Sequence, residues 1–205
     1  MVKRIEGFLT KSRNEPSTLN DLHWCSSVED AANLLSIYEP YIINTAITFE
    51  YDLPTLEEFQ SRIRNISSKY PYIKAVDNGE IIGYAYANTF KARRAYDWAV
   101  ETTVYVKEGK HGMGIGRALY TVLEKSLKDM GILNMNACIA VPEKKDEHLT
   151  DQSYLFHQKM GFELVGRFHK VGYKFNTWYD MIWMEKMIGQ HNDAPEAVKF
   201  GKGNL

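Results

Sequence analysis

Val104-Tyr105-Val106-Lys107-Glu108-Gly109-Lys110-His111-Gly112-Met113-Gly114-Ile115-Gly116-Arg117 is the stretch on which the fold turns. It leaves a β-branched run and passes through alternating glycines. It then enters a segment whose apolar residues Ile115, Leu119, Val122, Leu123, Leu127 and Met130 recur at helical spacing, with Gly131 to end it. A strand therefore feeds a helix through Gly112, Gly114 and Gly116. Missing side chains let a ligand approach the backbone, and the unpaired amides of a helix N-terminus favour an anion. A pyrophosphate fits both features. A glycine-rich turn without a ligand is the other reading open at this point.

Two familiar pyrophosphate loops are excluded. The dinucleotide fingerprint needs a third small residue and an acid about 20 positions on. From Gly114 the third position is Leu119, and residues 134–138 hold no acid. A Walker loop needs Gly-Lys-Ser/Thr, which is absent.

Outward from the loop, Val100–Val106 reads as a strand and Met135–Val141 as a buried one. Upstream, Ile73–Val76 and Ile81–Asn88 flank Asp77-Asn78-Gly79-Glu80, a tight hairpin turn. Pro54-Thr55 with Glu58 caps a helix whose inner face is Phe59, Ile63 and Ile66. Val28, Ala31, Ala32, Leu35 and Tyr38 mark an earlier helix behind a capping box at Ser26-Ser27, and Leu22–Cys25 a first strand. Downstream come a charged loop from Glu143 to Gln152 and a short helix to Met160. Phe162–Phe168, Val171–Phe175 and Trp178–Met184 supply the last strands. The pattern gives a polar arm at 1–19, one domain at 20–188 and a flexible tail at 189–205.

With 25 basic and 26 acidic side chains and a formal charge of -1, nothing points to nucleic acid or a membrane surface. No apolar run approaches the roughly 18 residues of a membrane span, and the N-terminus lacks a signal peptide's apolar stretch. Cys25 and Cys138 form no metal-type or redox-type pair and read as buried free thiols of a cytoplasmic protein. No metal set is expected.

His111-x-x-Gly114-x-Gly116 resembles the cofactor loop of the GNAT superfamily of N-acetyltransferases, with His111 where Gln or Arg is usual. Further motifs are similar, in order, to its phosphinothricin acetyltransferase-like branch. They are Asn44–Glu50, Arg93-Arg94-Ala95-Tyr96, Val100–Val106, Ser153–Phe162, and Val171–Phe175 with Trp178-Tyr179-Asp180. The resemblance covers roughly residues 20–188. It implies an α/β, three-layer α-β-α fold. Its mixed sheet of about seven strands would splay between the two central parallel strands, Val100–Val106 and Met135–Val141, joined by a right-handed crossover.

The resemblance implies direct acetyl transfer from acetyl-CoA to the amine of a small molecule, such as phosphinothricin or methionine sulfoximine. A protein acetyltransferase and a non-catalytic acyl-CoA-binding regulator are its rivals. Glu101 becomes the base that deprotonates the amine, where the residues alone also allow a solvated carboxylate. His157 becomes a donor to the leaving sulfur or a structural histidine. Val104, Tyr105, Val106, His111, Gly112, Met113, Gly114, Ile115, Gly116, Arg117 and Ser153 become the acetyl-CoA site, with strand-end amides facing the oxyanion. Arg93, Tyr96 and Lys174 become the acceptor site, Arg93 reading an anionic group. Departures are Glu143 after Pro142, where the family has Asn, and a longer loop to Ser153. The branch and the aromatic residues Tyr173, Phe175, Trp178 and Tyr179 point to a homodimer.

Overall fold

The computed structural model describes residues 21–24 and 28–201. The arm at 1–19, Cys25 and the Ser26-Ser27 capping box lie outside them. The sheet runs β1 (Asp21–Trp24), β2 (Tyr72–Asp77), β3 (Glu80–Thr89), β4 (Ala99–Val106), β5 (Asn134–Val141), β7 (Thr177–Met187) and β6 (Glu163–Lys174) in space. Six strands are long, and the four-residue β1 covers one edge.

Helices α1 (Ala31–Asn44) and α2 (Leu56–Ser67) cover one face, and α3 (Ile115–Met130) and α4 (Gln152–Lys159) the other. Thr55 caps α2 as its sequence predicts, its hydroxyl accepting from the Glu58 amide at 3.2 Å. Asn78 and Gly79 take the positive φ angles of 50° and 83° that the hairpin requires. The hairpin also carries a bulge, since Ala75 pairs with Gly83 but Val76 with Ile81. Beyond it Tyr84 and Tyr86 face α1 and α2, while Gly83, Ala85 and Ala87 face α3. A Cβ on Gly83 would lie 3.0 Å from the Tyr105 carbonyl and 3.1 Å from Ile115, so this position lets α3 seat closely.

Strands β4 and β5 are parallel but pair only from Ala99–Asn134 to Glu101–Asn136. Beyond Glu101 they part, which is the expected splay. Two sequence expectations change. Phe162–Phe168 and Val171–Phe175 merge into one strand, β6, whose pairing with β7 shifts register between Phe168 and Gly172, at a bulge where Lys170 takes φ 49°, and then continues. The tail read as flexible is docked as far as Gly201. Trp98 Nε1 donates to the Glu196 carbonyl at 2.8 Å, the Lys199 amide to Met130 at 2.9 Å, and Phe200 packs edge-on against Tyr70. The charged loop is held as well. The Asp146 carboxylate accepts from the amides of His148 and Leu149 and from the Tyr179 hydroxyl, at 2.7–2.8 Å.

Candidate active site

The splay opens a cavity of about 380 Å³ lined by Glu101 to Tyr105 of β4, Ala137 to Ala140 of β5, and Ser153 and His157 of α4. Residues of β4 alternate in face. Val100 and Thr102 are buried toward α3. Glu101, Thr103 and Tyr105 therefore look toward α1 and α2. Burial raises the pKa of Glu101, and the Lys91 ammonium lowers it in part. A half-buried carboxylate with a raised pKa beside a cleft has the profile of a general base.

Lys91, absent from the sequence-derived site, is the cation that acts on both Glu101 and Cys138. It rests over Phe90 and Trp183, with its Nζ 5.1 and 5.6 Å from the ring centroids. The Lys91-Ala92-Arg93 spacing was the available signal. Arg93 and Tyr96 sit on an exposed 3-10 turn and, like Lys91, lie outside the cavity lining.

Lys174 is corrected from acceptor contact to structural post. Its side chain is buried, and its three donors go to the carbonyls of Ile42, Thr45 and Thr48 at 2.7–2.9 Å. It satisfies an orphan carbonyl at the end of α1 and fixes the loop beyond. Cys138 is also corrected. It is exposed within the cleft rather than buried in the core. The protein around it and the Glu101 charge push its thiol up to about 11, so it is no ready nucleophile.

His157 is buried, and desolvation lowers its pKa to about 4, against the hydrogen bond to Ser153. Its Nδ1 lies 2.7 Å from the Ser153 carbonyl, so Nδ1 carries the hydrogen and Nε2 accepts. Nε2 is 3.0 Å from the Tyr120 hydroxyl, which also lies 3.3 Å from Thr102 Oγ1. Tyr120, another residue the sequence reading missed, lines the cleft with its pKa raised by burial.

At the end of β4 the Tyr41 hydroxyl of α1 donates to the Val106 carbonyl at 2.6 Å and accepts from the Val106 amide at 3.2 Å. The Val106 amide is thus committed, not an oxyanion donor. The alternation of backbone direction points the Val104 amide into the same gap. His111 Nε2 lies 2.8 Å from the Tyr41 oxygen. With Tyr41's one hydrogen on Val106, His111 donates there, which turns its ring toward α1 rather than toward an anion.

The loop fits a pyrophosphate. Gly109, Gly112 and Gly114 hold φ of 77–81°, and a Cβ on any of them meets no described atom within 4 Å. Gly114 caps α3, so the first amides of α3 open onto that space. Ile115 is in the core, so it offers backbone only, whereas the Met113 side chain is exposed beside the loop. Arg117 is exposed on the first turn of α3. Gly116 differs, since a Cβ there would lie 3.2 Å from Phe156 of α4.

The sequence model for the acetyltransferase (GNAT) domain matches residues 26–183. A phosphinothricin N-acetyltransferase of Streptomyces viridochromogenes is 33% identical over 156 residues, 76% of this chain and 81% of that protein. An L-methionine sulfoximine/L-methionine sulfone acetyltransferase of Pseudomonas aeruginosa is 29% identical over 83% of this chain and 96% of its own. Among solved structures, a phosphinothricin acetyltransferase from Sinorhizobium meliloti in complex with AcCoA superposes with a TM-score of 0.77. It is 31% identical and covers 85% of this chain and 92% of that one.

Proposed function

The chain belongs to the GNAT acetyltransferase family, and we propose that it acetylates a small-molecule amine with acetyl-CoA in a ternary complex. One observation carries the reading. Glu101 and Val104 line one cleft where β4 leaves β5, and β4 runs on from it into the glycine loop at the N-terminus of α3.

The loop at Gly112–Gly116 and the α3 N-terminus would hold the pyrophosphate of acetyl-CoA, and the cleft its acyl arm. Glu101 takes a proton from the acceptor ammonium, which frees the lone pair for attack on the thioester carbonyl. The N–C bond forms and the C–S bond breaks, and the nitrogen gives up its second proton to water as the tetrahedral centre collapses. The Val104 amide donates to the carbonyl oxygen as charge develops on it. His157 is neutral at physiological pH and acts through Tyr120. It accepts that hydroxyl's one hydrogen and so fixes Tyr120 beside the cleft, and water protonates the departing sulfur. Lys91 meets an anionic group of the acceptor, with Arg93 two residues on as a second cation.

Phosphinothricin and methionine sulfoximine are the acceptors suggested by the relatives. A homodimer in the cytoplasm, closed along β6, completes the reading. Among the described residues no helix is long and apolar enough to cross a membrane. The test is thiol release from acetyl-CoA with phosphinothricin, methionine sulfoximine, free amino acids and polyamines. Release with the first two sustains the reading, and no release with any of them overturns it.

A further inference from the structure

A second cavity, of about 510 Å³, lies on the α1–α2 face of the sheet, within the size range of small-molecule sites. Tyr86 and Tyr105 line both cavities. Cross-strand pairing makes the connection specific. Asn88 of the second cavity stands directly opposite Glu101, Tyr86 opposite Thr103, and Tyr84 opposite Tyr105. Residues paired in this way share one face, with Cβ atoms roughly 5 Å apart. A group held beside Asn88 is therefore a neighbour of the Glu101 carboxylate.

The chamber is built from ring faces. Tyr72 and Tyr86 stack at 4.8 Å, and Tyr38 and Phe59 close the side toward the helices. Its cation is already neutralised, because Arg62 donates to Glu50 at 2.7 Å and to Glu58 at 2.6 Å. An anionic guest would meet two carboxylates for one guanidinium. The chamber also holds an unanswered donor. Tyr84 lines it, is 1% exposed, and its hydroxyl has no hydrogen-bond partner among the described residues. The neighbouring hydroxyl of Tyr38 does have one, Thr48 Oγ1 at 2.9 Å. A buried hydroxyl without a partner is destabilising, and a ligand's polar atom would relieve that.

We propose that this chamber receives the side chain of the acceptor, and that the preferred side chain is a neutral aromatic ring carrying a hydrogen-bonding group. The inference rests on the acetyltransferase reading and narrows it. The acceptor's amine lies at Glu101, its ring beside Tyr86 and Asn88, and its ring substituent meets Tyr84. A compact polar acceptor leaves the chamber unused.

The experiment compares L-tyrosine, L-phenylalanine and L-methionine sulfoximine as acceptors, by kcat/KM and by calorimetric binding without turnover. The wild type is expected to prefer tyrosine over phenylalanine by roughly threefold to tenfold, the value of one recovered hydrogen bond. Tyr84→Phe should remove that preference. Asn65→Trp, which fills the chamber from α2, should lower the ratio of tyrosine to methionine sulfoximine at least tenfold in both readouts. If tyrosine binds no better than methionine sulfoximine, or if neither variant moves these ratios beyond twofold, the chamber is not an acceptor subsite. If Tyr84→Phe lowers stability and weakens all three acceptors equally, the hydroxyl is structural and the proposal fails. Calorimetry keeps the outcome decisive even when no acceptor is turned over, a result that would count against the acetyltransferase reading instead.

Discussion

At the scale of single residues, the site is set by how burial treats charge. Glu101 is raised by desolvation and held partly in check by Lys91. In the proposed role of base, its carboxylate must be deprotonated to accept the ammonium's proton. The acid limb of kcat/KM should therefore lie above the ordinary glutamate range, with activity rising as pH rises through it. Glu101→Gln should lower kcat roughly 10²–10⁴-fold with acetyl-CoA affinity intact. Activity within a few-fold of the parent would put the base elsewhere. His157 gives a stability prediction of definite sign. Its folded pKa of about 4 lies below the ordinary 6.5, so the unfolded chain binds more protons between those values. Its contribution is complete above 6.5 and is lost as pH falls toward 4, of order 3 kcal/mol at most. Denaturant titrations from pH 7 to 4 should show that loss, and His157→Gln should flatten the slope. An unchanged slope would mean that another group governs acid unfolding.

At the scale of elements, the glycine loop does two different jobs. Gly112 and Gly114 hold left-handed backbone with open space beyond, whereas Gly116 gives Phe156 room to pack α4 on α3. Gly114→Ala should cost about 1–2 kcal/mol through its φ angle and weaken acetyl-CoA binding. Gly116→Val should weaken binding and loosen α4 as well, visible as faster amide exchange around His157. Calorimetry with acetyl-CoA checks both, and wild-type affinity in either folded variant would remove the loop from the site. This loop, its flanking strand and helix, and the Asn78-Gly79 turn were legible because local geometry demanded those residue types. Other features had no local signature. Lys174 reads the same in sequence whether it meets a ligand or three carbonyls, and the meeting of Tyr41 with Val106 spans 65 positions. Cys138 sits in an apolar run that reads as core. Only the parting of β4 and β5 exposes it, and a sequence pattern does not carry a gap between strands. The polar tail was misread for a related reason, since it is anchored by backbone bonds and by two residues, Val198 and Phe200.

At the scale of the whole molecule, the sheet ends in opposite ways. One end of the core is closed by the docked tail, so ending the chain at Gly189 should lower stability by about 2 kcal/mol through the lost burial of Val198 and Phe200. Denaturation of the shortened chain checks this. The other end is bare. Strand β6 is the outermost strand, twelve residues long, with an edge of backbone donors and acceptors that no strand among the described residues takes up. Leu164, Val165, Phe168 and Val171 along it are each more than half exposed, as is Trp178 on the adjoining β7. A long apolar edge left in water invites aggregation, and chains avoid that by covering it. The bulge at Lys170 interrupts this edge and sets one lysine on it, but Phe168 and Val171 stand on either side of it. A second copy of the chain, related by a two-fold axis, would bury both edges at once with one self-complementary surface. The expected solution state is therefore a homodimer. Light scattering at micromolar concentration should return twice the chain mass. Phe168→Glu with Val171→Lys should return the single mass with the fold retained by circular dichroism, because charges on the edge are costly to bury without partners. A monomeric wild type, or a charged variant that stays dimeric, would mean that β6 is not the interface.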